Sequence, residues 1–204
     1  MFLLRRQLTA LLRDGGAGVE LHTMVNPWAS RRKFAAFAYI AEQYGYRYDG
    51  LASGIPTSRS HPIFGFRRLP DAQERATRTS AAYPNAVGGG PYPGMRPSGN
   101  GLTPLPEARP EVDLLHARIM TDLYGESSTG RIKMMAIVIP VSVLLGLVLT
   151  GNFTTTGTLI GGCVVAGFWL YLWLAAAYMR RRRVKYVRIL ERAGIAWPPR
   201  RSDR

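Results

Sequence analysis

From Met134 to Met179 the chain contains no Asp, Glu, Lys, Arg or His. A soluble domain of ordinary composition does not go that long without charge. The run is about twice the roughly 20 residues that one crossing of a bilayer requires. Ionisable side chains are also what proton relays and ion pathways are built from, so their absence argues against the stretch alone being a transporter. Cysteine is nearly missing too: Cys163 is the single one, which excludes an internal disulfide and any Cys-based zinc spacing. Three scattered histidines, His22, His61 and His116, offer no metal-ligand pattern. A contact between His116 and Asp113, one helical turn apart, is read as a surface pair. No phosphate-binding loop, metalloprotease helix or dinucleotide fingerprint is present. No catalytic residue, metal ligand or cofactor is therefore assigned, and the chain is read as a non-enzyme.

Within the uncharged run, turn formers replace aliphatics at Gly151-Asn152-Phe153-Thr154-Thr155-Thr156-Gly157. The expected fold class is accordingly a mainly α membrane protein. A two-helix transmembrane hairpin, 134–179, has helices at 134–150 and 158–179. Ahead of it lie a small cytoplasmic module, for which an α/β pattern is one reading, and a disordered Pro/Gly-rich linker. Charge sets the orientation. Arg118, Arg131 and Lys133 precede the first helix; Arg180, Arg181, Arg182, Arg183, Lys185, Arg188 and Arg192 follow the second; the turn carries none. A Lys/Arg excess on short flanks marks the cytoplasmic side. Both termini are expected in the cytoplasm, in a multi-pass inner-membrane protein of a bacterium. The bacterial reading is an association with the Ala-, Gly- and Arg-rich composition.

The net charge of +14 divides into +6 before residue 134 and +8 after residue 179. So basic a balance suits nucleic acid. Here the densest cluster abuts a span, which makes anionic lipid headgroups the nearer partner. Arg180, Arg181, Arg182, Arg183, Lys185 and Arg188 are the candidate headgroup-binding residues of a basic tail, 180–204.

Six units are expected in all. Residues 1–25 form an amphipathic N-terminal segment in which Leu4, Leu8, Leu11 and Leu12 recur at helical spacing. They lie either on the membrane surface or against the chain's own domain. Residues 26–78 form the small module: Ser30 stands at an N-cap position, Phe34, Phe37, Ala38, Ala41 and Tyr44 make a helical face, and Gly45 ends it. Tyr46 and Tyr48, with Ile63-Phe64-Gly65-Phe66, carry strand signals. Residues 79–110 are the flexible linker, since Ala82–Pro110 holds seven Pro and six Gly. Residues 111–133 are a juxtamembrane unit whose amphipathic helix is opened by Pro110 and ended by Gly125, with Val112, Leu115, Ile119 and Leu123 as its apolar stripe. The hairpin and the tail complete the chain.

Two features of the hairpin suggest contacts. Ser142, Gly146 and Thr150 are spaced four apart in the first helix. Gly157 and Gly161 are spaced likewise in the second, continued by Gly162 and Ala166. Small residues at this spacing let helix backbones approach closely, within one chain or between chains of a homo-oligomer. Trp169 and Trp173 sit deeper than an interfacial belt and either dock a partner or face lipid. The 112–123 stripe meets the membrane surface, the other cytoplasmic elements or a partner chain. Both sets are candidate partner-docking residues. The leading function is a two-span anchor or adaptor presenting cytoplasmic elements to a membrane-associated protein assembly. The alternatives are a small membrane-active oligomer of holin-like or superinfection-exclusion-like type, and an accessory subunit of a membrane enzyme.

Overall fold

A computed structural model of the chain describes residues 2–28, 30–52, 62–97, 101–150 and 154–197, with backbone alone at 126–133, 147 and 150. The order of elements is α1 (Phe2–Gly16), β1 (Leu21–Val25), α2 (Arg31–Gln43), β2 (Tyr46–Leu51), β3 (Ile63–Arg68), α3 (Ala72–Ala82), α4 (Arg109–Leu123), α5 (Glu126–Thr150) and α6 (Thr155–Arg192).

The three strands form an antiparallel sheet in the order β1-β3-β2. Alternation places Met24 from β1, Tyr46 and Tyr48 from β2, and Phe64 and Phe66 from β3 in the core. Between Tyr48 and Gly50 the β2–β3 register slips, and Gly50 takes up the irregularity with φ of 109°. Phe34 and Phe37 of α2 meet the β3 aromatics, with Phe34 to Phe64 ring centroids 4.5 Å apart. The α2 face is wider than the periodic set, because Ala35, Ala36 and Ile40 are buried as well. The reason is that α2 is covered by the sheet on one side and by α4 and α1 on others. At its end Gly45 adopts φ of 89°, and a Cβ there would lie 2.4 Å from Ala72 Cα, so only glycine fits.

The described residues of 79–110 are not a free tether. Residue 79 lies inside α3, and Ala86, Tyr92, Met95, Leu102 and Ala108 are buried. Met95 bridges Pro104, Arg96 N–H donates to Thr103 O at 2.9 Å, and Leu105 N–H donates to Gly94 O at 2.9 Å. The segment has too few apolar residues for a core of its own, but it adds them to one that α1 and α2 already provide. Gly94 lies against Tyr39, and Gly101 lies between Tyr92 and Leu4. Proline and left-handed glycines here shape a fitted strap rather than a linker.

The separate units 1–25, 26–78 and 111–133 likewise merge. Leu4, Leu8 and Leu11 of α1 are buried in the same core as Phe34, Phe64, Val112 and Ile119. The N-terminal helix therefore docks on its own domain. The helix break falls at Gly125 as its position marks, between α4 and α5, but α5 starts at Glu126 rather than near residue 134.

α6 runs unbroken for 38 residues, about 57 Å at 1.5 Å per residue. Thr154 caps its start, accepting from Gly157 N–H at 3.2 Å. The basic tail is thus in large part a continuation of the apolar helix. Among the described residues α6 is the one helix long and apolar enough to cross a bilayer; the apolar part of α5, Met134–Gly146, is shorter. Pro140 lies inside α5. Residues 151–153 of the expected turn lie outside the described residues.

Candidate functional site

Two regions gather the chemistry: the apolar surfaces of α5 and α6, and the junction where α6 meets the N-terminal module.

Along α5, Ile137, Val141, Leu144, Leu145, Val148 and Leu149 are exposed; along α6, so are Leu159, Ile160, Val164, Leu170 and Leu174. Trp169 and Trp173 are 57% and 67% exposed. Where the two helices lie together they leave an apolar groove of about 540 Å³. Pro140, Val143 and Leu144 line it from α5, and Gly161, Gly162, Ala166 and Trp169 are among those lining it from α6.

This corrects the small-residue expectation for contact within one chain. A Cβ built at Gly146 or at Gly162 would meet nothing within 4 Å, so the backbones do not touch there. Ser142 is exposed, and its hydroxyl donates to Ile139 O at 2.9 Å within its own helix. Gly161 is buried, and Gly157 belongs to the N-terminal turn of α6. The Thr150 side chain lies outside the description. The α6 glycines and Ala166 therefore open space along the helix pair, and the α5 residues facing it are Pro140, Val143 and Leu144 rather than Ser142 and Gly146.

Of the three partners open to the α4 stripe, the chain's own cytoplasmic elements are the one it meets. Val112, Leu115 and Ile119 are buried and Leu123 is partly buried, all within the module's core. They are used on α2 inside the chain and leave no docking face. Trp169 and Trp173 are exposed, and only Trp169 reaches the groove.

At the junction, Asp122 of α4 accepts from Tyr48 Oη at 2.8 Å and from Trp197 Nε1 at 2.9 Å. Trp197 stacks on Tyr48 with centroids 5.9 Å apart, and the Arg118 guanidinium lies 5.5 Å from the indole. Tyr186 of α6 stacks on Tyr124 and meets His116 edge-on. Leu190, one turn further along α6, is buried. So α6 is clamped to the module both before and after its last turn, and nothing in the local sequence pattern marks Asp122 or Trp197. The expected His116–Asp113 pair does not form; Asp113 holds Arg32 at 2.7 Å.

The tail cations project from α6, with Arg180, Arg181, Arg183, Lys185 and Arg188 exposed. Arg182 donates to Tyr178 Oη at 3.0 Å and covers its ring. Elsewhere, His22 is buried with Nδ1 2.7 Å from Asp14, joining β1 to α1. Among the described residues no group of three or more His, Cys, Asp or Glu is placed to hold a metal.

Burial first, and then the Asp122 carboxylate, push the Tyr48 phenol well above its ordinary value of 10.0. A raised folded value means that this contribution to stability is complete below pH 10.0 and is lost as pH rises through the higher folded value. Tyr48→Phe removes one hydrogen bond to a carboxylate and is expected to cost about 1.5–3 kcal/mol near neutrality. It should also flatten the alkaline fall in melting temperature, measured from about pH 8 to 11. An unchanged alkaline slope would show that Tyr48 does not carry it. Burial and nearby Arg32 lower His116 below 6.5. Its contribution has the opposite sense, present above pH 6.5 and lost as pH falls through the lowered value.

No family model matches the chain, and comparison with curated proteins and with solved structures gives no match.

Proposed function

We propose that this protein is a two-span integral membrane anchor whose folded cytoplasmic module is offered to a membrane-associated protein assembly. The observation that carries the proposal is the run of exposed large apolar side chains along both α5 and α6. Water would leave that surface as a contiguous patch far larger than soluble monomers expose. Lipid covers it without cost. The module, by contrast, buries its own apolar residues in one core.

The first span is α5 from about residue 134, and the second is the apolar part of α6. Flanking cations hold both ends of the pair in the cytoplasm, and the α6 cations meet anionic headgroups at about 1 kcal/mol each near the surface. Because α6 continues from the bilayer into contact with α4, the module is carried on a stiff helix and not on a tether. A folded, clamped module of this extent supports presentation to a partner more than permeabilisation by a small oligomer. The partner is a protein, and the chain itself performs no catalysis in this reading.

Single cysteines at Ser128, Thr155 and Ser202, in a Cys163→Ala background, test the topology in intact cells with an impermeant thiol reagent. Labelling at Thr155 alone is expected. Labelling at Ser202 would overturn the arrangement. Gentle detergent extraction should then co-purify a stoichiometric partner whose retention requires the module.

A further inference from the structure

A second concave surface lies in the module, and it is charged rather than apolar. A cleft of about 420 Å³ forms between the start of α2 and the segment leading into α4. Arg32 and Lys33 enter it from the first turn of α2, and Arg109 enters from the first residue of α4. Arg109 is far in sequence from the neighbouring pair Arg32 and Lys33. They converge because the strap folds back through the Met95–Pro104 bridge and brings 102–109 against α2. Ser30 and Thr103 add hydroxyls, and Leu102 and Pro104 supply the apolar part of the lining.

The charges in this cleft are poorly balanced. Asp113 pairs with Arg32, both side chains being about half exposed. Among the described residues no carboxylate pairs with Lys33 or Arg109. The first turn of α2 holds no acidic residue, so Arg31, Arg32 and Lys33 stand together at its positive end, the reverse of the favourable placement. Like charges brought together by tertiary folding, around a cavity, are relieved by an anion.

We propose that this cleft binds a phosphate monoester carried on a small hydroxylated group, free or as a lipid headgroup. Its volume exceeds what a bare phosphate fills and falls in the range of about 300–1,000 Å³ usual for small-molecule sites. The Arg109 guanidinium matches phosphate oxygens as a planar pair, Arg32 adds the N–H groups that Asp113 does not take, and Lys33 adds a point charge. Among the described residues no aromatic ring lines the cleft, so they offer no stacking surface for a nucleobase. Hydroxyls and cations beside a small apolar floor suit a polyol instead. The inference goes beyond the anchor reading and does not depend on it.

The test uses the full chain in neutral detergent, titrated with inositol 1-phosphate, with dioctanoyl phosphatidylinositol 4-phosphate, with AMP and with inorganic phosphate. Calorimetry is expected to show both inositol compounds binding at least about tenfold more tightly than AMP or inorganic phosphate. Lys33→Gln with Arg109→Gln should weaken them at least about tenfold, and the parent's binding should fall with salt as charge pairing requires. Arg75→Gln with Arg78→Gln, which removes the same charge from α3, should change binding less than about twofold. If the double cleft variant loses its fold, Arg109→Gln alone, an exposed position, serves in its place and should weaken binding severalfold. Tighter binding of the acylated compound assigns the site to a lipid headgroup, and equal binding assigns it to a free phosphate ester. Absence of binding by either inositol compound, or equal losses in the cleft and α3 variants, overturns the proposal.

Discussion

Asp122→Ala is expected to loosen the whole junction between the module and α6. The carboxylate is the common acceptor for the Tyr48 hydroxyl and the Trp197 indole N–H. Tyr48 is 1% exposed, so its hydroxyl has no access to water as a substitute. Hydrogen bonds to charged groups contribute about 1.5–3 kcal/mol each, and a buried donor left unpaired costs its desolvation. Two bonds share one acceptor and Trp197 is only partly buried, so a total of about 2–4 kcal/mol is the expected loss. For a chain of this size that lowers the melting temperature by about 4–16 °C. Trp197 should then leave Tyr48, and trypsin should cut the chain after Arg192 more readily than in the parent. Asp122→Asn keeps one acceptor but turns a donor toward the other partner, so it should recover little. Asp122 also stands in the last turn of α4, where a negative charge opposes the helix dipole. Its presence there makes sense only through the donors it receives. A melting temperature within about 2 °C of the parent, with unchanged cleavage, would show that the junction is held by stacking alone.

How much of the molecule is legible in the sequence depends on the range of the signal. Helix α2 can be read from Ser30, the Phe34–Phe37–Ala41 period and Gly45, because caps and periodicity are local. The α4 stripe can be read too, but not its partner: Val112 and Ile119 look the same whether they face lipid, another protein or α2. Composition misleads over 79–110. It reports whether a segment can bury enough apolar surface by itself, and this one borrows a surface from α1 and α2. The Asp122–Trp197 contact spans 75 residues and the Lys33–Arg109 cleft a similar distance, with no periodic trace of either. The absence of charge over 134–179 is the plainest feature of all. It says that the segment is apolar on every side, and so it cannot say which side of α5 faces α6. That face holds Pro140 and Val143, whereas spacing points to Ser142 and Gly146.

Leu170→Arg separates the membrane reading from a soluble one, because the two predict opposite results. Leu170 is 58% exposed on α6, and within the protein it has little packing to lose. In water, an arginine on an exposed helix face is nearly neutral for stability and should improve solubility, since Arg is also a good helix former. In a bilayer the outcome is set by depth. Leu170 precedes Arg180, the first cation after the apolar run, by about 15 Å along the helix. That distance is half the hydrocarbon thickness of about 30 Å, which puts position 170 close to mid-bilayer and too deep for a guanidinium to reach the cytoplasmic interface easily. Insertion measurements put the cost of such a charge at about 2.5–3.5 kcal/mol at mid-helix. The expected result is therefore loss of the protein from the membrane fraction, or its degradation, with at least about a tenfold fall in correctly inserted chain. Val184→Arg, exposed on the same helix but beyond the apolar run, should leave insertion unchanged and serves as the control. If Leu170→Arg accumulates to parental levels and extracts without detergent, α6 is not a span. The exposed leucines, valines and tryptophans of α5 and α6 would then have to be covered by protein, and the anchor reading would fail with them.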